Sequence, residues 1–191
     1  KVGIDFDNTI VNYNKVYISL NKKLNLNIAK SKISKNTVKK KIIKKYSEYY
    51  WTFIQEEIYG KFIHSIYPDK KFRDFIFKFK KKKIKFYIIS HKTKYSEFSK
   101  KYKLRSEALY WINKNISYYK FNINFFDSIH EKIDFIKREN LHYHIDDLYE
   151  IFKNKNFNKN CKKIFFNLKK RFDFNSTSWI KIGDYISNEI N

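Results

Sequence analysis

Apolar and polar positions change rhythm several times along the chain. Val2 to Phe6 is a short apolar run of strand type that stops at the polar turn Asp7-Asn8-Thr9. From about Asn12 to Tyr67 apolar residues recur at helical spacing, as in Tyr46, Tyr49, Tyr50, Phe53, Ile54 and Ile58. That pattern predicts an insertion of roughly two to four helices. Gly60 is placed to end one of them, and Pro68 to lead back into the main domain. Asp69 suits the N-cap of a helix reaching about Lys82, with Phe72, Phe75, Ile76 and Phe79 on one face. Ile84 to Ile89 is an apolar strand that ends at Ser90-His91-Lys92-Thr93. One or two helices are expected next, burying Ala108, Leu109, Trp111 and Ile112. Strands are then expected at Asn122–Phe126, Leu141–Ile145 and Lys163–Phe166, and helices at Glu131–Glu139 and Leu148–Lys153, followed by a mixed tail with a last helix. Gly183-Asp184 in that tail reads as a turn.

Strands that alternate with helices predict an α/β fold: a Rossmann-like parallel sheet with helices on both faces, here with a small α-helical cap. The expected division is a core of residues 1–11 and 69–191 and a cap of 12–68. Ligands of such sheets sit beyond the C-terminal strand ends, near the point where strand order reverses. Three strands end in unusual polar groups: Asp5, Asp7 and Thr9; Ser90; and Asp146 and Asp147. If these strands are parallel neighbours, all three sets meet at one edge.

Four carboxylates in one crevice repel one another unless a hard cation lies among them, and Mg²⁺ prefers oxygen ligands. A cation beside a free carboxylate nucleophile suits phosphoryl transfer through an aspartyl-phosphate. A serine hydroxyl and helix-opening N–H groups suit phosphate oxygens, and a lysine would complete the charge balance.

Asp5-Phe6-Asp7-Asn8-Thr9 resembles the first signature of the haloacid dehalogenase-like (HAD) superfamily, in its phosphatase form D-x-D-x-T. Ile88-Ile89-Ser90 resembles the second signature, and Ile145-Asp146-Asp147 the fourth, with Ile145 where a small Gly is common. The third is a lysine upstream of the fourth; Lys132 is the best placed, and Lys137 is the alternative. The helical stretch lies where that superfamily inserts its first type of cap.

The resemblance implies roles. Asp5 would accept the phosphoryl group. Asp7 would protonate the leaving oxygen and then activate water, which favours phosphatase over dehalogenase chemistry. Thr9 would steady the loop at the phosphate, Ser90 would bind the phosphate, and Lys132 would neutralise Asp5 and the transferred group. Asp5, the Asp7 carbonyl and Asp146 would hold Mg²⁺, and Asp147 would reach the metal through water or orient Lys132. A cap favours a small phosphorylated substrate such as a sugar phosphate or nucleotide. The alternatives are a nucleic-acid end-processing phosphatase and a catalytically silent binding protein of the same fold.

The remaining composition changes this picture little. Lys and Arg exceed Asp and Glu by 23, but only four of the 42 basic residues are Arg. Lys, Asn, Ile, Phe and Tyr share A/T-rich codons, so coding bias explains most of the charge, although its field still attracts anions. Lysines interleaved with aromatics, as around Tyr49-Tyr50-Trp51, could stack bases, but the inner face of cap helices is the expected place for those rings. His142 and His144 alternate on a strand and read as ordinary strand residues. His91, next to Ser90, is a candidate substrate contact. Cys161 is the single cysteine, so neither an internal disulfide nor a cysteine-based zinc site is expected. No run approaches the roughly 18 apolar residues of a membrane span, and no signal-peptide pattern is visible, so a cytoplasmic location is expected. The chain contains no Met, and its natural start is expected upstream.

Overall fold

A computed structural model of the chain describes residues 1–168 and 172–190. In chain order its elements are β1 (Val2–Ile4), α1 (Asn14–Lys23), α2 (Lys35–Lys45), α3 (Glu48–Gly60), α4 (Lys70–Lys78), β2 (Phe86–His91), α5 (Leu104–Asn115), β3 (Asn122–Phe126), α6 (Ile129–Arg138), β4 (Tyr143–Asp146), α7 (Tyr149–Lys153), β5 (Lys162–Phe165), β6 (Phe174–Asn175) and α8 (Trp179–Ile190). Two 3₁₀ turns, Lys30–Lys32 and Phe62–Ser65, complete the described elements. The chain divides into two compact units.

The first unit comprises residues 1–10, 68–92 and 115–191 and holds the sheet. Six strands run parallel in the order β3-β2-β1-β4-β5-β6. The reversal of strand order falls at β1, between β2 and β4, which is where α/β sheets open a crevice. Register fixes the levels: Ile4 is opposite both Ile88 and Ile145. The sheet's pleat sends alternate residues to opposite faces. Tyr87 and Ile89 join Ile133, Phe135, Ile136, Leu141 and Phe152 in one core layer under α6 and α7. Phe86 packs the other way, 5.6 Å from Phe75 of α4, while Phe72 lies 4.7 Å from Trp179 of α8. Gly3, on the central strand, is required by close approach: a Cβ there would lie 2.7–2.8 Å from Leu141, His144 and Ile89 side chains.

Asp69 caps α4 as expected, accepting from the Lys71 N–H at 2.9 Å. The helix stops at Lys78, short of Lys82, and the lysine run after it forms turns. β1 is also shorter than the apolar run, because the chain turns at Phe6. Gly183-Asp184 is not a turn but the interior of α8, where Asp184 pairs with Lys78 at 2.6 Å.

The second unit comprises residues 11–67 and 93–114. It carries α1, α2, α3 and nearly all of α5. Ser34 and Thr37 form a capping box at α2, and Ser47 caps α3 through the Tyr50 N–H. Both give a reason for where these helices begin. Trp111 is buried, and its indole N–H donates to the Ile66 carbonyl at 2.7 Å. Leu109, expected inside with Ala108 and Ile112, is exposed. Glu56 is buried and accepts from the backbone and hydroxyl of Ser99. Gly60 ends α3, but its backbone is not left-handed. Its reason is space, because a Cβ would run into the Tyr102 ring.

Candidate active site

The three sets of polar groups gather at the C-terminal ends of β1, β2 and β4, as their neighbouring registers require. The Asp5 N–H donates to the Ile145 carbonyl at 2.9 Å, which sets Asp5 level with Asp146. Asn8 then takes a left-handed φ of 63°, a conformation Asn tolerates better than most residues, and turns the chain toward Thr9.

Lys132 ties two of the strands together. It lies on the inner face of α6 with Ile133, Phe135 and Ile136, and Ser128 caps that helix through the Glu131 N–H. Its ammonium stands 2.6 Å from Asp5 Oδ1 and 2.7 Å from Asp146 Oδ2, and the whole residue is 1% exposed. Lys137, the alternative in the sequence, is exposed on the same helix. Burial opposes the charge of Lys132, but the two carboxylates outweigh it and hold the ammonium above the usual lysine range.

The two carboxylates respond differently. Burial pushes Asp5 up to about 7, with Asp146 and Asp7 adding to the rise against the pull of Lys132. Burial pushes Asp146 upward too, but Lys132 and His144 overcome it and bring it down to about 2. Asp146 is fully held: Oδ2 accepts from Lys132 and from His144 Nε2 at 2.9 Å, and Oδ1 accepts from the Leu148 N–H at 2.8 Å. Burial lowers the His144 pKa, so a neutral ring with its proton on Nε2 suits the carboxylate beside it. Asp147 lies half-buried beside Asp146.

Thr9 is buried, and its hydroxyl donates to Asp5 Oδ2 at 3.3 Å. Asp7 pairs with Lys92, whose Nζ is 2.8 Å from Oδ2. Ser90 is 1% exposed, and its hydroxyl has no hydrogen-bond partner among the described residues. A buried unmatched hydroxyl costs about 1–3 kcal/mol, which argues for a ligand that completes it. His91, in contrast, is exposed and bonded to the Asp127 carbonyl at 3.0 Å.

The donor set fits a hard divalent cation. Asp5, Asp146 and Asp147 each offer a carboxylate oxygen, all within 4.8 Å of one another. Charge points the same way: four carboxylates against Lys92 and Lys132 leave two negative charges when Asp5 is ionised. No other group of three or more candidate ligand residues is found among the described residues.

Sequence reasoning missed Lys92 and His144. The strand period of two could have found both. Lys92 follows Ser90 at that spacing and, like it, is buried, while His91 between them is exposed. His144 precedes Asp146 by the same step.

No family model matches the chain, and no curated protein matches it significantly. Solved structures do. One is a HAD-superfamily hydrolase from Ehrlichia chaffeensis, 16% identical, with a TM-score of 0.51 over 100% of this chain and 97% of that one. At that identity the likeness speaks for the fold, and it agrees with the all-parallel sheet. This chain has the fold of a HAD-superfamily hydrolase.

Proposed function

We propose that the protein is a Mg²⁺-dependent phosphatase that hydrolyses a small phosphomonoester, a sugar phosphate or nucleotide, through an aspartyl-phosphate on Asp5. One observation carries this reading: Asp5, Lys132, Asp146 and Asp147 meet at the strand ends, on the sheet that also ends in the buried, unpartnered Ser90 hydroxyl. That the Ehrlichia protein is a hydrolase is consistent with it.

Asp5, Asp146 and Asp147, with the Asp7 carbonyl, would hold the ion. Bound there, Mg²⁺ supplies positive charge that offsets the carboxylates and polarises phosphate oxygens. The chain's own residues do the rest. Ser90 donates to a phosphate oxygen, Lys132 holds Asp5 Oδ1, and Oδ2, held only by the longer 3.3 Å contact from the Thr9 hydroxyl, is the oxygen assigned to attack. Asp5 Oδ2 attacks phosphorus, the ester P–O bond breaks, and Asp7, entering this step protonated, gives that proton to the leaving oxygen and becomes the carboxylate. Asp7 then removes a proton from water as its oxygen attacks phosphorus. The acyl-phosphate P–O bond breaks, releasing inorganic phosphate and the Asp5 carboxylate. Lys92 is a positioning residue that holds the Asp7 carboxylate.

The test is a phosphate-release screen over sugar phosphates, nucleotides and phosphorylated oligonucleotide ends, with Mg²⁺ and with a chelator. Release from at least one class is expected, dependent on Mg²⁺ and abolished in Asp5→Asn. Equal release in chelator, or activity retained in Asp5→Asn, overturns the mechanism. Silence on every class would instead support a binding protein of this fold.

A further inference from the structure

The helical unit turns a row of aromatic rings outward. Tyr49, Tyr50 and Phe53 lie on α3 at the 3–4 spacing that places residues on one face of a helix, and Tyr46 lies in the turn between α2 and α3. Tyr49 is 72% exposed, Tyr46 45% and Phe53 37%, whereas Trp51, in the same stretch, is 2% exposed. The rings are in contact: Tyr46 and Tyr50 centroids are 4.8 Å apart, Tyr50 and Phe53 6.1 Å, Phe53 and Phe98 5.4 Å, and Phe98 and Tyr49 4.5 Å. The expectation that these rings form an inner face therefore holds for Trp51 and fails for Tyr49.

A cationic hollow adjoins the row. Lys41, Lys44 and Lys45, at the end of α2, line a space of about 360 Å³ with Asn25, Leu26 and Asn27. Lys45 links hollow and rings: its ammonium is held by the Leu24 and Asn25 carbonyls at 2.8 and 3.2 Å and lies 5.5 Å from the Tyr46 ring centroid.

The charge of this unit is not coding bias alone. Lysine is similarly frequent in both units, 17 of 79 residues here and 21 of 112 in the sheet unit. Acids are not: 5 lie here and 14 there, and all ten Asp belong to the sheet unit. The 40 residues between Asp7 and Glu48 hold eleven Lys and no acid. Of the five Glu, Glu56, Glu57 and Glu107 are bonded within the unit, which leaves Glu48 and Glu97 beside the rings in sequence.

We infer that this face of α2 and α3 binds single-stranded nucleic acid, with phosphates at the Lys41–Lys44–Lys45 hollow and unpaired bases stacked on Tyr46 and Tyr49. An apolar protein partner would gain nothing from the lysines. A duplex would satisfy the lysines but keep its bases away from the rings. Single strands use both features, charge along the backbone and a π-face on every base.

Fluorescence anisotropy of labelled oligo-dT and oligo-U, about 15 nucleotides long, tests this on the full chain. Binding is expected to weaken with salt, with a log–log slope of about −2 if three phosphates are neutralised. Tyr46→Ala with Tyr49→Ala should weaken it about tenfold or more, while Tyr46→Phe with Tyr49→Phe keeps it. Lys41→Gln with Lys44→Gln should reduce the slope to below about −1 in magnitude. Because these side chains are exposed, melting temperature should stay unchanged, and Asp5→Asn should bind as the wild type does. Equal affinity in the double Tyr→Ala variant, a blunt duplex bound as tightly as the single strand, or no binding at low salt would each overturn the inference.

Discussion

Replacing Lys132 by Met removes one ammonium from between two buried carboxylates. At 2.6 and 2.7 Å each contact is worth about 6 kcal/mol of Coulomb attraction at an effective dielectric of 20. Most of that is offset by the cost of burying three charges, so the pair sum is not the expected loss. Truncating one member of a buried pair costs about 3–5 kcal/mol, because its partners stay buried and unpaired. Two features place this case near the lower end. Asp5, pushed up to about 7 by burial, can take up a proton, and Asp146 keeps His144 and the Leu148 N–H. A loss of about 3 kcal/mol is expected, or roughly 6–12 °C in melting temperature for a chain of this size. Urea denaturation followed by circular dichroism measures it, with the m-value unchanged. Adding Asp5→Asn to Lys132→Met should cost less than the sum of the single changes, by at least about 0.5 kcal/mol. A loss below about 1 kcal/mol in Lys132→Met would refute the reasoning, since it would mean that the ammonium is exposed to water or the carboxylates are already neutral.

Other residues allow equally specific checks. Ser90→Ala removes a buried hydroxyl with no partner, so stability should be unchanged or rise by up to about 1 kcal/mol in urea melts; phosphatase kcat/KM should nevertheless fall about tenfold or more. Gly60→Ala drives a methyl group into the Tyr102 ring and should cost about 1–3 kcal/mol by thermal melting, whereas Gly183→Ala, whose nearest neighbour would be Phe75 at 3.3 Å, should cost less. Burial pushes the Cys161 thiol up to about 12, so the native chain should resist alkylation at pH 8 while the unfolded chain reacts. The sign follows from linkage: the thiol is protonated in both states below its ordinary value of 9.0, and above it only the unfolded state ionises readily. This contribution to stability is complete below pH 9 and is lost as pH rises toward about 12; rapid native alkylation at pH 8 would contradict it.

Much of the site was legible because its parts are local. A strand that ends in a carboxylate is visible in a window of about five residues, and three such ends needed only neighbouring strands to converge. The β1 position between β2 and β4 supplied that. What could not be read was which face a helix turns inward. Lys132 and Lys137 lie on one helix five residues apart, and only packing sends the first to Asp5 and leaves the second in water. The same limit explains Leu109, exposed beside buried Ala108, and Tyr49, turned out where Trp51 turns in. Residues 93–114 carry no composition shift that marks them as part of the helical unit; Glu56 and Gly60 recognise Ser99 and Tyr102 through three-dimensional fit. Asp146 and Asp147 are alike in sequence, and only packing shows that His144 and the Leu148 N–H fix the carboxylate of the first.

The central claim is that Asp5 carries the phosphoryl group. Asp7→Asn should slow release of that group, so a rapid quench with substrate and Mg²⁺, followed by borohydride reduction and peptide mapping, reads the acceptor directly. Homoserine is expected at position 5, formed only with Mg²⁺ and substrate together. Reduction at a different residue, or turnover by the wild type with no covalent phosphate found on the chain in either protein, would contradict it.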